Sequence, residues 1–265
     1  MQRFFRYSTS NHNNLEQNPK HKFAQRHALN VYNANAIYSF IPKNACSSLR
    51  TTIAHANGLI KDKSEFNWIH NNNSTFIANL SELIKAKYTF TVLRCPFSRL
   101  VSSYLDKIVT RDRIAWNYID VHQRNIDIED ITFEFFVQSM MKPHVRNSDI
   151  HWRPQKDFLV YEEYDDYFSL ENFSNVENTL KRRLGIKLID ARSLTKHGAD
   201  QYDFFDGREL WKLKPFEILT QKLNGKIPRA VEMYNDELKN LVINSYKNDI
   251  DFYKEKIGSE TLMFT

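Results

Sequence analysis

Two short strings carry residue types suited to gripping a polyanion. The first, IPKNACSSLR at residues 41–50, sets Lys43 just after an apolar, strand-like run; Asn44, Ala45, Cys46, Ser47 and Ser48 then lead into a helix. Backbone N–H groups at a helix N-terminus can surround an anion. Lys43 adds a mobile positive charge, and Ser47 and Ser48 add hydroxyl donors. The small Ala45 and Cys46 let an oxyanion approach the backbone. The string has no glycine and its lysine comes first, so it is not a Walker A loop. The second string, VLRCPFSRLVSSYLDK at residues 92–107, puts Arg94 at a strand end and Ser102 further along the helix that follows. A guanidinium fork holds a phosphate monoester, and Arg94 and Ser102 are placed to converge on one phosphate. A magnesium-dependent NTPase needs an Asp where this chain has Arg94, which points away from ATP hydrolysis.

The elements that must position these residues are legible as two strand-loop-helix units. Ala36–Ile41 is a short β-prone run ending at Pro42, and Leu49, Ile53 and Ala56 recur at helical spacing until Asn57-Gly58. Phe76, Ile77, Leu80, Leu83 and Ile84 form an apolar stripe behind a Ser74 or Thr75 cap, which predicts a helix before the second unit. Tyr88–Leu93 is then the best strand. It runs through Arg94-Cys95-Pro96 into a helix that faces Val101, Leu105 and Ile108 inward, with Arg99 and Ser103 read as surface neighbours. Further on, the pattern predicts a helix from Thr132 to about Met141 and a strand at Val160-Tyr161 or Tyr167–Ser169. It also predicts a helix behind a Ser174/Glu177 capping box that stops at Gly185, and a last helix over about Asn235–Tyr253. This alternation predicts an α/β fold: a P-loop-NTPase-like parallel sheet flanked by helices, with ligands at the carboxyl ends of the strands. With no repeat and no flexible linker, residues 31–265 read as a single domain, and the polar residues 1–30 as a tail or covering segment.

Composition narrows the function classes. The 265 residues are 42% hydrophobic and 14% aromatic, with only six Gly and seven Pro, which excludes wholesale disorder and collagenous or low-complexity architecture. A formal net charge of +5 suits anionic ligands without implying nucleic acid. Cys46 and Cys95 have no Cys or His partner at metal-ligand spacing, so neither a disulfide framework nor structural zinc is expected. Both read as small residues tolerated where backbone meets phosphate. No apolar run is long enough to span a bilayer, and the N-terminal residues lack a secretory signal. The expectation is a cytoplasmic, bacterial protein with no integral membrane segment.

At these residues the sequence resembles the sulfotransferase superfamily that uses 3′-phosphoadenosine 5′-phosphosulfate (PAPS), most closely its carbohydrate (glycan O-) sulfotransferase branch. The resemblance implies the sulfotransferase fold. It also implies that Lys43, Asn44, Ala45, Cys46, Ser47 and Ser48 hold the 5′-phosphosulfate. The motif R-D-P-F-x-R-L-x-S, matched by Arg94, Pro96, Phe97, Arg99, Leu100 and Ser102, implies a 3′-phosphate site built from Arg94 and Ser102. Cys95 stands where the family has Asp, an exchange expected to alter loop packing more than cofactor recognition. The segment Asp149-x-His151-Trp152-Arg153-Pro154-Gln155 is similar to a D-x-H-W-x-P motif of the same branch. The closing helix, with Tyr246 and Asp249, is similar to the family's last helix, so the likeness covers about residues 36–253.

Sulfuryl transfer to a hydroxyl needs a base, and His suits that work near neutrality. His70 stands ahead of Arg94 at a distance that resembles the catalytic His of glycan 2-O-sulfotransferases. His151 is the rival, beside Trp152, whose face can stack on a sugar, and Arg153, which can hold an acidic group. Glu65, Asp149, Glu162 and Glu163 remain as carboxylate alternatives. The expectation is therefore a metal-free, PAPS-dependent sulfotransferase acting on a glycan or glycolipid, with no nucleic-acid partner. Lys43 and either His70 or His151 would be catalytic, and Trp152 and Arg153 would bind the acceptor. An atypical ATP-dependent phosphotransferase and a non-catalytic glycan- or nucleotide-binding module are the alternative classes.

Overall fold

A computed structural model describes residues 2–9, 14–72, 74–191 and 201–264. In chain order its main elements are α1 (Pro19–Gln25), β1 (Ala28–Val31), β2 (Ala36–Ser39), α2 (Cys46–Ala56), α3 (Trp68–Asn71), α4 (Leu80–Lys85), β3 (Tyr88–Leu93) and α5 (Pro96–Ser103). Then come α6 (Arg113–Val121), α7 (Phe133–Ser139), α8 (Pro143–Arg146), β4 (Asp166–Ser169), α9 (Ser174–Leu184) and β5 (Asp203–Phe205). The last are α10 (Pro215–Leu223), β6 (Lys226–Pro228), α11 (Asp236–Ser245) and α12 (Lys247–Lys256). The chain divides into two compact units, Met1–Leu93 with Gln155–Thr195, and Arg94–Pro154 with Lys196–Thr265.

The first unit holds a sheet in the order β1-β2-β3-β4. β2, β3 and β4 run parallel and β1 is an antiparallel edge. The residues of β2 and β3 are buried throughout, as expected of parallel strands covered on both faces. One core joins Tyr38, Phe90 and Val92 of the sheet to Leu49 and Ile53 of α2 and to Val176 and Leu180 of α9. The expected α/β fold, a parallel-strand sheet flanked by helices, is what forms. α2 stops at Asn57-Gly58 and α9 at Gly185, whose φ of 68° is the left-handed conformation glycine adopts without a Cβ clash.

Several local expectations change. Residues 1–30 are not simply a polar tail: Asn18 caps α1, and Ala28–Asn30 lie in β1. β1 escapes a periodicity reading because all four of its residues are buried, Asn30 included. Phe76 and Ile77 lie outside α4. The Phe76 and Ala28 carbonyls accept from Asn30 and Ala78, extending the ladder beside β1, and the capping box that starts α4 is Asn79 with Glu82. Of the two strand sites offered downstream, Asp166–Ser169 joins the sheet, while Tyr161 makes an isolated bridge with Phe5. Ser174 is the first residue of α9 rather than its cap. The long C-terminal helix is broken at Tyr246 into α11 and α12.

In the second unit α5 continues as a π-helical turn, Tyr104–Ile108. An aromatic core surrounds it: Tyr104 packs on Phe133 and Phe136, and Phe97 and Phe133 meet Tyr234 edge-on. β5 and β6 form a short parallel pair. Among the described residues no helix is long and apolar enough to cross a membrane.

Candidate active site

In the first unit the chain leaves β2 through Pro42 and makes a tight bend before α2. Lys43 (φ 72°) and Ala45 (φ 56°) both adopt the left-handed conformation, uncommon for residues with a Cβ and typical of strained functional turns. Ala45 is the N-cap of α2, and no side chain caps it, so the cap supplies no acceptor for the first N–H groups of the helix. Asn44 is fully buried; its Nδ2 donates to the Val92 carbonyl at 2.8 Å and to Gln155 Oε1 at 2.6 Å. Its side chain therefore braces the bend against the end of β3. Ser48 is also buried, and its Oγ accepts from the Ala191 N–H at 3.1 Å. Ser47 is half-buried, and its hydroxyl has no partner among the described residues.

His70 lies in the same unit, exposed on the single turn α3. The preceding carbonyl, of Ile69, accepts from Arg50 Nη2 of α2. Arg50 is itself buried, its guanidinium 5.1 Å above the Phe40 ring, and burial lowers its pKa while Cys46 and Tyr38 work the other way. The bend and the His70 turn are thus both anchored on α2.

In the second unit Arg94 is half-buried at the entry to α5, which starts at Pro96 with its first N–H already dispensable. Cys95 is fully buried and its sulfur accepts from the Met263 N–H at 3.3 Å, a packing role in keeping with the Asp-to-Cys exchange. Ser102 is half-buried with no hydrogen-bond partner among the described residues. Arg99 and Ser103, read from sequence as surface neighbours, are instead only 2% and 0% exposed. They hold the segment that carries the D-x-H-W motif. Arg99 Nη1 donates to the Arg153 carbonyl at 2.7 Å and Nη2 to that of Ile150 at 3.1 Å. The Ser103 hydroxyl donates to the His151 carbonyl at 2.7 Å, and the Tyr246 hydroxyl to that of Trp152 at 2.6 Å.

On this segment His151 Nδ1 lies 2.6 Å from Asp149 Oδ1. Trp152 is 0% exposed, with Nε1 donating to the Val145 carbonyl at 3.0 Å and its ring edge-on to Tyr118 and Phe136. It is core, which corrects its expected role as a stacking face for a sugar. Arg153 is half-buried, and its Nη1 donates to the Asn147 carbonyl at 3.4 Å. Among the described residues no three His, Cys, Asp or Glu side chains cluster as a metal-ligand set.

The model of the sulfotransferase family matches residues 26–254, which includes both loops and the Asp149–Gln155 segment. The chain belongs to the sulfotransferase family. No curated protein and no solved structure matches it. The two motifs that place this sulfotransferase chain in its family from sequence therefore sit at two helix starts, one in each unit. Reading the sequence missed the second layer: Arg50, Arg99 and Ser103 each act on a backbone carbonyl of a histidine-bearing turn. One signal was available. Arg99 stands four residues before Ser103 on a helix flanked by Phe97, Leu100 and Val101, a strong cation in an otherwise apolar setting.

Proposed function

We propose that this chain is a PAPS-dependent O-sulfotransferase acting on a hydroxyl of a carbohydrate. The family match across residues 26–254 carries the reading; because it runs without a break through both units, residues 31–265 are taken as one catalytic domain. The residues fit the donor in type. Lys43, Ser47 and the N–H groups starting α2 suit the 5′-phosphosulfate, and Arg94 with the Ser102 hydroxyl, which has no partner among the described residues, suits the 3′-phosphate. When bound, PAPS supplies an activated sulfuryl group to an acceptor hydroxyl. Lys43 neutralises charge that builds on the leaving oxygen, and the helix N–H groups hold the oxygens of the transferred group through fixed dipoles. His70 or His151 takes the hydroxyl proton. Arg153 holds an acidic group on the acceptor.

Calorimetric titration with adenosine 3′,5′-bisphosphate, ATP and AMP tests the nucleotide half of the reading. The bisphosphate should bind best, with no requirement for magnesium; a preference for ATP with magnesium overturns it. Radiolabelled PAPS offered to a panel of desulfated glycosaminoglycans and neutral oligosaccharides tests the acceptor half. Binding of the bisphosphate with no transfer to any glycan defeats it.

A further inference from the structure

Two hydroxyls one turn apart on α2 hold the chain that follows α9. Ser48 Oγ accepts from the Ala191 N–H at 3.1 Å and Thr52 Oγ1 from the Ile189 N–H at 2.9 Å. The spacings match. Four residues of helix rise about 6 Å, and two residues of extended chain advance about 6.6 Å with their N–H groups on one edge. Residues 189–191 therefore lie along α2 and run toward its N-terminus, and Ile186 and Leu188 just before them pack on the sheet core. The two hydroxyls differ in what they do with their hydrogens. A hydroxyl within a helix can donate to the carbonyl four residues back, and Thr52 does so, to Ser48 at 2.7 Å. For Ser48 the residue four back is Asn44, in the bend between left-handed Lys43 and Ala45. The Ser48 side chain is 5% exposed, and its hydroxyl hydrogen has no acceptor among the described residues.

A hydroxyl has one hydrogen and two lone pairs, and the hydrogen turns to suit its surroundings. With the Ala191 N–H pointed at its oxygen, Ser48 must present that hydrogen elsewhere, as a donor. Its backbone N–H, third in α2, also lacks an acceptor within the helix. We infer that Thr52 is a positioning residue: by holding residues 189–191 in register, it fixes Ser48 as a donor to the 5′-phosphate oxygens of the nucleotide. This rests on the sulfuryl-transfer reading. Thr52 acts through the strap and not by contact, since its hydrogen and its oxygen are both already used. Without that hydroxyl Ile189 loses its anchor and Ala191 shifts. The Ser48 oxygen, no longer faced by an N–H, then turns its lone pairs toward the anion as readily as its hydrogen. Thr51 is the contrast built into the same helix. It is fully buried, and its Oγ1 has no partner among the described residues, so removing its hydroxyl breaks no described hydrogen bond.

Calorimetry on wild type, Thr52→Val, Thr52→Ser and Thr51→Val compares adenosine 3′,5′-bisphosphate with adenosine 3′-monophosphate, which lacks the 5′-phosphate. Thr52→Val should weaken bisphosphate binding about fivefold and monophosphate binding less than about twofold, as expected when one ordered hydrogen bond to the 5′-phosphate is lost. Thr52→Ser keeps the hydroxyl and should bind both ligands as wild type does, and so should Thr51→Val. A general loosening of α2 would instead weaken both ligands alike. Amide hydrogen exchange on wild type adds an arm that needs no variant. The Ile189 and Ala191 amides should be protected in the free protein, and Ala191 should gain more protection from the bisphosphate than from the monophosphate. Equal losses for the two ligands, unchanged binding in Thr52→Val, failure of Thr52→Ser to restore it, or equal protection by both ligands overturns the inference while the sulfotransferase reading stands. A wild type that binds no bisphosphate defeats that reading, and this inference with it.

Discussion

Residue identity separates the groups available to a ligand from those that hold them. In the proposed reading Lys43 and Arg94 contact the nucleotide, and these proposed roles predict different kinetic signatures. Lys43→Ala should depress kcat far more than affinity for adenosine 3′,5′-bisphosphate, since its charge matters most as the leaving oxygen becomes anionic. Arg94→Ala should instead weaken bisphosphate binding by about 1.5 to 3 kcal/mol, the worth of a lost charge-assisted hydrogen bond. Equal small effects in calorimetry and turnover would remove both assignments. Trp152 belongs to the second kind. Because it fills the aromatic core between Tyr118 and Phe136, Trp152→Ala should cost about 3–5 kcal/mol in urea unfolding. A variant of unchanged stability that fails only in acceptor KM would restore the sugar-stacking role. Sequence could not make this distinction, because a Trp beside His and Arg looks the same whether its ring faces solvent or core.

Elements with strong periodicity were readable, and those shaped by a distant partner were not. β3 matches its predicted span at both ends, and α2 stops at the expected Asn57-Gly58, because burial pattern and turn residues agree there. The C-terminal helix carries an unbroken apolar stripe in sequence yet breaks at Tyr246, whose hydroxyl is drawn to the Trp152 carbonyl; that partner lies far away in the chain. α1 was lost in a polar segment, although it buries His21, 2% exposed, with Nδ1 lacking a hydrogen-bond partner among the described residues and the ring edge-on to Phe5. Burial lowers the His21 pKa, so the fold favours the neutral ring. The stabilisation is fully present above the unfolded value of about 6.5 and is lost as pH falls through the lower folded value. Chemical denaturation from about pH 7 to about pH 5 should therefore show a steeper loss of stability in wild type than in His21→Leu. Parallel curves would mean that this histidine does not couple to folding.

At the scale of the whole molecule, the sequence revealed the family and the order of its motifs but not how the N-terminal residues are held. Arg3 precedes the matched region, yet its side chain donates to the Ala86 and Lys87 carbonyls, to Thr89 Oγ1 and, at 2.6 Å, to Asp165 Oδ2. Phe5 and Arg6 continue the contact through Tyr161 and Val160. Nothing in MQRFFRYS announces this, since an arginine near a chain end is ordinarily solvated. Arg3→Ala should lower unfolding stability by about 2–3 kcal/mol; a change within about 0.5 kcal/mol, as at an ordinary surface site, would show that the contact is idle.

The bend between β2 and α2 ties the molecule's work to its durability. Two residues with side chains, Lys43 and Ala45, occupy backbone conformations that cost roughly 1–2 kcal/mol each. Ala45→Gly should relieve one of these costs and raise the melting temperature, since glycine enters that region without a clash. The same change loosens the arc of N–H groups at the mouth of α2, so a hardier protein should hold adenosine 3′,5′-bisphosphate less tightly. Selection for thermal endurance alone would then drift toward glycine at this position, and selection for catalysis would resist it.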